Sequence, residues 1–294
     1  MKYSIPAILA ASFMLAACSN TVPAPRSVDY SLPEGTVKII SYNIRQSGMP
    51  QNDGPHAWPH RKEATLNMIQ WEAPSVIGFQ ELLPDQQNYV RAAFPQYGFV
   101  GVGRDNGNDE GECMGVMYLK DKYELLDSKT YWLSETPDQV SMGWDAVCYR
   151  TVTCVNLKEI ASGRSFWYFN THLDHIGQVA REESVKLIVN LVDTLVPEGT
   201  PVIVGGDLNS GIESTIFKPF EQANLLPARA ISPKTSFEGT FNAFGTAPSG
   251  IILDHMFARD VTPIEFETLV KDYGAPIISD HYPVAFTFSL SLNQ

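Results

Sequence analysis

Short apolar runs alternate with polar turns along the chain, and their spacing predicts strands and helices. In the first third, residues 37–43 and 75–80 are apolar, β-branched runs of strand length. Residues 61–71 and 85–94 carry apolar side chains at helical spacing and predict two helices. This part of the chain therefore has the alternation of strand and helix that is typical of α/β folds.

The middle of the chain has strand-like runs with no helix between them, which indicates antiparallel pairing. These runs cover residues 99–103, 113–119, 123–132, 148–157 and 165–170.

A long helix and further strands complete the pattern. Residues 178–196 have the clearest helical periodicity, and a strand at 202–204 and a helix near 214–223 follow. Further strands are predicted near residues 252–257, 265–270 and 284–290. Mixed strands with flanking helices predict a layered α/β sandwich.

The amino terminus has the pattern of an export signal. Lys2 precedes an apolar run at residues 5–17 that is too short to span a bilayer as a stable helix. The run ends in Leu15-Ala16-Ala17-Cys18, which resembles the bacterial lipobox, in which the cysteine becomes the lipidated first residue. The alternative is a plain signal peptide with an incidental cysteine. We expect residues 1–18 to form a lipoprotein signal peptide ending at Cys18.

The proline-containing stretch 19–35 is expected to be a tether, and residues 36–294 a single domain. The mature protein would then be secreted and lipid-anchored to the bacterial cell envelope, in the periplasm or at the outer membrane, and we expect a monomer.

Charge and cysteine content narrow the possible functions. The net charge of −12 argues against a protein that binds nucleic acid by neutralising many phosphates, but it allows a small phosphoester bound through a metal. Cys148 and Cys154 fall in one predicted strand, roughly 20 Å apart at ~3.3 Å per residue, so they are not expected to pair. A disulfide, if one exists, would use Cys113. No cysteine has metal-site spacing.

Polar side chains recur where apolar strands end, most clearly in Gly205-Gly206-Asp207-Leu208-Asn209. The other members of this pattern are Asn43, Glu81, Asn170, His172, Asp254, Asp280 and His281. Each alone has an ordinary explanation as a turn residue, a cap or a surface residue. Sites in open α/β folds collect at strand ends, so together these residues favour convergence on one crevice.

Most of these side chains offer oxygen ligands, which favour Mg²⁺ or Mn²⁺ over zinc. The chain has no Gly-x-Ser-x-Gly or Ser-x-x-Lys motif for a serine nucleophile. The set therefore indicates metal-assisted phosphoester hydrolysis.

In this order and spacing, the motifs resemble those of the endonuclease/exonuclease/phosphatase superfamily. The motifs are Ser-Tyr-Asn43, Gly-Phe-Gln-Glu81, Asn170-Thr-His172, Gly-Asp207-Leu-Asn209, Asp254 and Ser-Asp280-His281. Other segments, such as 102–107 and 131–137, are similar to those of secreted bacterial members with no settled substrate. The resemblance implies a four-layer α/β sandwich of two packed mixed β-sheets flanked by helices.

The resemblance also implies roles for the site residues. Glu81 would bind the catalytic metal, with Asn43 and Asp280 at or near it. Asp207 would orient the attacking water. The residues contacting the scissile phosphate would be Asn170, His172 and Asn209. The pair that stabilises the phosphate or relays a proton would be His281 and Asp254. Relatives usually carry tyrosine where this chain has His255, so the resemblance does not predict how this side chain packs.

Three further residues are candidates for the substrate rim. Arg104 and Glu112 flank the polar loop 105–111, which is equally typical of a solvated hairpin loop. Trp58 would either stack on a base or sugar, or pack against the following helix.

The leading hypothesis is a divalent-metal-dependent phosphodiesterase or phosphatase that acts outside the cytoplasm. Its substrate would be a small phosphoester, a phospholipid headgroup or nucleic acid. The alternatives are a secreted endonuclease or exonuclease, and a non-catalytic binding lipoprotein. The complete set of site residues argues against the last of these.

Overall fold

The computed structural model describes residues 22–290. The strands in this range are β1 (Thr36–Asn43), β2 (Val76–Gln80), β3 (Tyr97–Val100), β4 (Val116–Leu119), β5 (Tyr123–Trp132), β6 (Thr151–Glu159), β7 (Ser165–His172), β8 (Val202–Asp207), β9 (Leu226–Pro227), β10 (Lys234–Thr235), β11 (Asp254–Arg259), β12 (Thr262–Thr268) and β13 (Val284–Ser289). The α-helices are α1 (Pro50–Asp53), α2 (Trp58–Glu72), α3 (Pro84–Ala93), α4 (Gln178–Leu195), α5 (Lys218–Gln222) and α6 (Ala228–Ile231).

The strands form two mixed sheets. A seven-stranded sheet has the order β10-β12-β13-β1-β2-β4-β3, and a six-stranded sheet has the order β5-β6-β7-β8-β11-β9. Near the middle of each sheet one pair is parallel, β1 with β2 and β7 with β8. Their carboxyl ends therefore deliver polar side chains from both sheets to one edge of the molecule.

Apolar side chains fill the space between the two sheets and cover the outer face of each sheet. Tyr168 and Ile203 of the second sheet share one cluster with Ile39 and Phe79 of the first, and this cluster extends to Leu66 of α2. A second cluster packs α4 and α5 against the outer face of the second sheet. The layers are helix, sheet, sheet, helix, which confirms the predicted four-layer α/β sandwich.

Asn170 joins the two sheets close to their polar edge. Its Nδ2 donates to the carbonyl oxygens of Phe79, at 2.8 Å, and Gly115, at 3.1 Å. Its Oδ1 accepts from Gln80 Nε2 at 2.7 Å. A Cβ added at Gly78 would lie only 2.7 Å from that oxygen, so a glycine is needed for this close approach. The bridge fixes how the strand ends of the two sheets face each other.

Several predicted strands have bounds that differ by two or three residues, and for two of them the structure shows the cause. The run 99–103 forms β3 earlier, at 97–100, because Gly101 (φ 138°) ends the extended conformation. The run 148–157 begins only at Thr151, because Val147 N and Arg150 Nε donate to Asp174 Oδ2 at 3.3 and 3.4 Å and hold the preceding residues in a loop. Cys148 thus lies outside the strand. All three cysteines of the described residues are free.

Part of the predicted tether lies against the domain. Arg26 N donates to the Ala93 carbonyl at 2.7 Å, its guanidinium pairs with Glu63 at 2.7 Å, and Tyr30 packs against the first core cluster. The predicted signal peptide, including Cys18, lies outside the described residues. Among residues 22–290, no helix has both the length and the apolar character to cross a membrane.

Candidate active site

The polar strand ends meet at one edge of the two sheets, as the sequence pattern predicts. In the second sheet, Asp207 is in register with His172 on one side and Asp254 on the other. In the first sheet, Asn43 closes β1, and Glu81 directly follows β2. The Asn43 side chain links the sheets at the site, because its Nδ2 lies 3.0 Å from both Glu81 Oε1 and Asp207 Oδ2.

Asp207 lies at the centre of the cluster and is 2 % exposed. Its Oδ1 accepts from Asn209 N at 3.0 Å, and its Oδ2 lies 3.3 Å from His172 Nε2 and 3.6 Å from His281 Nε2. Burial raises the pKa of Asp207 to about 7; His281 opposes this shift, whereas the charge of Asp254 adds to it. Asp207 is thus a buried carboxylate between two imidazoles.

His281 is the cationic partner of Asp207. Its Nδ1 lies 2.8 Å from Asp254 Oδ2, an aspartate that is also buried. Burial alone would lower the pKa of His281, but Asp254 and Asp207 raise it to about 10. The imidazolium is therefore stable between the two carboxylates, with Nδ1–H directed at Asp254 and Nε2–H directed toward Asp207.

His172 is the neutral imidazole of the site. Burial holds its pKa well below the usual range, and the positive charges of Arg150 and Arg104 lower it further. Its Nδ1 makes no hydrogen bond with any described residue, so its one N–H is best placed on Nε2, facing Asp207.

Glu81 and Asp280 lie together around the guanidinium of Arg45. Arg45 Nη1 lies 4.0 Å from Glu81 Oε2 and 3.8 Å from Asp280 Oδ2. Its Nε and Nη2 donate to the Asp53 carboxylate, and the shortest of these hydrogen bonds is 2.8 Å. Burial works against the charge on Arg45, but Asp53, Asp280 and Glu81 together raise its pKa. Burial raises the pKa of Asp280, as does the nearby charge of Glu81.

Glu81 and Asp280 fit a hard divalent cation. A buried carboxylate whose pKa is raised by a neighbouring carboxylate becomes a good oxygen ligand once a cation neutralises both. A second group, Asp207, Asp254 and His281, has its ligand atoms within 4.8 Å of one another. There, the His281–Asp254 hydrogen bond already uses Nδ1, so this group suits proton handling better than metal binding.

The three predicted asparagines are oriented by the backbone. Asn43 Oδ1 accepts from Arg45 N at 3.0 Å, so Asn43 points its amide NH₂, and not its oxygen, at Glu81 and Asp207. The predicted ligand role of Asn43 therefore does not fit this orientation. Asn209, at φ 48°, donates to the Leu173 carbonyl at 2.9 Å.

Asn170 does not face the cleft in this structure. It is fully buried, and its two amide hydrogens are held by backbone carbonyls of the first sheet. A phosphate contact through this amide would require one of those bonds to break, and the phosphate-binding role that the resemblance implies stays a prediction.

The predicted rim residues separate into two kinds. Trp58 is buried, with its ring against Tyr89 and beneath the Arg61 guanidinium, so it packs the start of α2 and forms no rim. Arg104 and Glu112 form an ion pair at 2.6 Å beside the site. The sequence pattern did not identify Arg45 or Arg150 as site residues. Arg45 stands out only as a basic residue two positions after Asn43, which does not reveal its acidic partners.

As a whole, the site brings together the groups for three chemical functions. It has a carboxylate able to orient a water and take its proton, two imidazoles able to donate to an anion, and two carboxylates suited to a divalent ion. These are the functions that hydrolysis of a phosphate ester requires.

Comparison with known proteins agrees with this chemistry. The model of the Endonuclease/Exonuclease/phosphatase family matches residues 40–281. A solved endonuclease/exonuclease/phosphatase from Bacteroides vulgatus is 34 % identical with a TM-score of 0.82, over 87 % of this chain and 99 % of that chain. The mannosyl-6-phosphatase of Bacteroides thetaiotaomicron VPI-5482 is 30 % identical with a TM-score of 0.79, over 85 % of this chain and 98 % of that chain.

An uncharacterized protein of Acanthamoeba polyphaga mimivirus is 26 % identical in an alignment of 272 residues that covers 86 % of this chain and 100 % of the viral protein. The family match includes strands of both sheets and ends at His281, so it includes every predicted catalytic residue. The chain belongs to the endonuclease/exonuclease/phosphatase family, whose members are phosphoester hydrolases.

Proposed function

We propose that this protein is a divalent-metal-dependent phosphomonoesterase that acts on a small, sugar-containing phosphate ester. The observation that carries the proposal is the position of Asp207, which lies 3.3 Å from a neutral His172 and 3.6 Å from a protonated His281. A carboxylate in this position can orient a water while the flanking N–H groups face the phosphate oxygens.

The metal would be held by Glu81 and Asp280, and Mg²⁺ or Mn²⁺ suits their oxygen atoms. When bound, such an ion neutralises phosphate charge and stabilises the leaving oxygen. Arg45 lies within 4.0 Å of both carboxylates and offsets part of their negative charge. Asn43 positions Glu81 relative to Asp207 through its two 3.0 Å contacts.

The remaining residues handle protons and orientation. Asp207 accepts the proton of the attacking water, because its raised pKa makes it the better base. His281 stays protonated through Asp254, and its Nε2–H, which lies 3.6 Å from Asp207, would donate to an oxygen of a bound phosphate. His172 contributes a second, uncharged donor. Asn209 N holds Asp207 Oδ1, which fixes the direction of the other oxygen.

Two observations favour a sugar phosphate over nucleic acid. A mannosyl-6-phosphatase is among the similar solved structures, at 30 % identity over 98 % of its own chain. In addition, the net charge of −12 disfavours a long polyanionic substrate. We also propose that the enzyme acts outside the cytoplasm and is held at the cell envelope through Cys18, on the basis of the Leu15-Ala16-Ala17-Cys18 sequence.

The test is a substrate panel with the purified full-length chain, first treated with EDTA and then given Mg²⁺, Mn²⁺ or no metal. The panel contains mannose 6-phosphate, p-nitrophenyl phosphate, bis(p-nitrophenyl) phosphate and single-stranded DNA. We expect metal-dependent phosphate release from the monoesters. Release of nucleotides from DNA with no monoester turnover would favour a nuclease, and no turnover of any substrate would overturn the hydrolase proposal.

A further inference from the structure

Arg104 and Glu112 form a buried ion pair that lies beside the candidate metal residues. Cys113, the residue after Glu112, forms antiparallel bridges with both Leu82 and Gly103. The first bridge places Glu112 next to the segment that begins at Glu81. The second places it opposite Arg104, whose N donates to the Glu112 carbonyl at 3.0 Å.

The charges of the pair and of the site act on one another. Burial lowers the pKa of His172 and the charge of Arg104 lowers it further, while burial raises the pKa of Glu112 and the charge of Glu81 adds to this shift. The side chains are only 11 and 13 % exposed. A buried ion pair is at best a weak source of stability, because both charges lose hydration. Its presence therefore needs another explanation.

One polar atom of the pair lacks a close partner. Arg104 Nη1 is paired with Glu112 Oε2 at 2.6 Å, whereas Arg104 Nε makes no hydrogen bond with any described residue and lies 3.9 Å from Asp105 Oδ1. A buried polar atom without a hydrogen bond is uncommon, and beside a site it is a donor available to a ligand.

A second basic residue, Arg150, adds to this polar region. Arg150 Nη2 lies 3.0 Å from His175 Nδ1, and its Nε lies 3.4 Å from Asp174. His175 lies three residues after His172, the last residue of β7, so this contact holds Arg150 beside the site. We call Arg104, Glu112, Arg150 and His175 the polar wall.

The backbone of the polar wall is held in place. Trp132 Nε1 donates to the Arg104 carbonyl at 2.8 Å, and Gly103 N donates to Asn108 O at 2.9 Å. The loop that carries Arg104 and Glu112 is thus fixed at both ends before a ligand binds, which lowers the entropy that binding must overcome.

We infer that the polar wall binds hydroxyl groups of the sugar that carries the phosphate, and so selects sugar phosphates. This inference rests on the proposed function. Guanidinium groups donate hydrogen bonds and a carboxylate accepts them, and adjacent sugar hydroxyls need both. The carboxylates of Glu112 and Asp174 disfavour a second phosphate at the same place.

The test compares kcat/KM for mannose 6-phosphate with kcat/KM for p-nitrophenyl phosphate, which has no sugar hydroxyl. In Glu112→Gln and Arg104→Lys we expect the ratio of the two values to fall roughly 10–100-fold, the range for losing one hydrogen bond to a charged group. Glu124→Gln is the matched control, because Glu124 pairs with Lys158 on an exposed part of the β5–β6 hairpin. Its ratio should equal that of the wild type.

A binding measurement without catalysis complements the ratio. Titration calorimetry on EDTA-treated protein should show mannose 6-phosphate binding more tightly than inorganic phosphate, and both substitutions should remove this difference. An unchanged ratio together with an unchanged binding difference would overturn the inference. Wild-type turnover of p-nitrophenyl phosphate but not of mannose 6-phosphate would overturn it too, while leaving the proposed hydrolase in place. Turnover of neither would overturn the proposed function itself.

Discussion

His281 Nδ1 lies 2.8 Å from Asp254 Oδ2, and both side chains are buried beside Asp207. The two residues are far apart in sequence and meet because Asp254 begins β11, next to β8, while His281 precedes β13. The aspartate keeps the imidazole protonated and fixes which nitrogen faces Asp207. This relationship makes His281 a donor rather than a base.

Asp254→Asn should therefore impair turnover more than stability. The substitution keeps the volume but removes the charge that stabilises the imidazolium, so we expect kcat to fall roughly 10²–10⁴-fold. Steady-state kinetics on p-nitrophenyl phosphate, with circular dichroism to verify folding, measures the effect. A folded Asp254→Asn protein with wild-type kcat would show that His281 needs no charged partner.

Glu81→Gln should abolish metal binding. In the wild type, Mg²⁺ at a hundredfold excess over its Kd would stabilise the fold by about 2.7 kcal/mol and raise Tm by roughly 5 °C. Glu81→Gln should show almost no such shift, whereas Glu198→Gln, at an exposed glutamate, should keep it. If Mg²⁺ protects Glu81→Gln as well as the wild type, the metal binds elsewhere, and the group of Asp207, Asp254 and His281 becomes the alternative.

Asn170→Ala tests whether this residue joins the sheets or binds phosphate. Its loss would remove three buried hydrogen bonds, to the Phe79 and Gly115 carbonyls and from the Gln80 amide. At about 1 kcal/mol for each bond, we expect the free energy of unfolding to fall by about 3 kcal/mol. Urea denaturation measures the change, with exposed Asn190→Ala as the matched control. Wild-type stability together with a large loss of activity would instead support the phosphate contact that the resemblance implies.

His255 should make the fold sensitive to acid. Burial lowers its pKa to about 4, although its bond to the Ser210 carbonyl opposes the shift. In the unfolded chain His255 takes up a proton near the usual pKa of about 6.5, whereas in the folded chain it does so only near pH 4. The free energy of unfolding therefore falls as the pH drops from about 6.5 to about 4.

The substitution His255→Tyr should remove that sensitivity, because tyrosine stays neutral there. We expect the loss in unfolding free energy between pH 7.5 and pH 4.5 to be about 2–3 kcal/mol smaller in the variant than in the wild type. Equal pH dependence in the two proteins would show that His255 is not the titrating group. The ring packs 5.0 Å from Phe217, so neutral-pH stability is the internal control for packing.

The sequence predicted the layers and most of the site, for a physical reason. Glu81, Asp207 and His281 are polar residues directly after or before apolar strands, and strand ends are where a rigid sheet delivers side chains to a crevice. The register of the sheet then follows from the burial pattern, so their convergence was predictable.

The direction of amide groups was not predictable. Asn43 and Asn170 have the expected positions, yet local backbone partners orient each amide away from its expected role. The contribution of Arg45 was also hidden, because its partners Asp53 and Asp280 come together only when α1 and the loop before β13 are in place. Side-chain orientation depends on such long-range contacts, which motif spacing does not encode.

Asp207 is the central residue of the proposed hydrolytic mechanism, and its substitution by asparagine is the decisive test of that mechanism. The measurement is phosphate release from mannose 6-phosphate and p-nitrophenyl phosphate by Asp207→Asn and wild-type protein in saturating Mg²⁺, with metal binding and Tm measured on the same samples. We expect the variant to be folded and to bind Mg²⁺, with kcat lowered roughly 10³-fold or more. A folded, metal-binding Asp207→Asn protein with wild-type turnover would contradict the proposed mechanism.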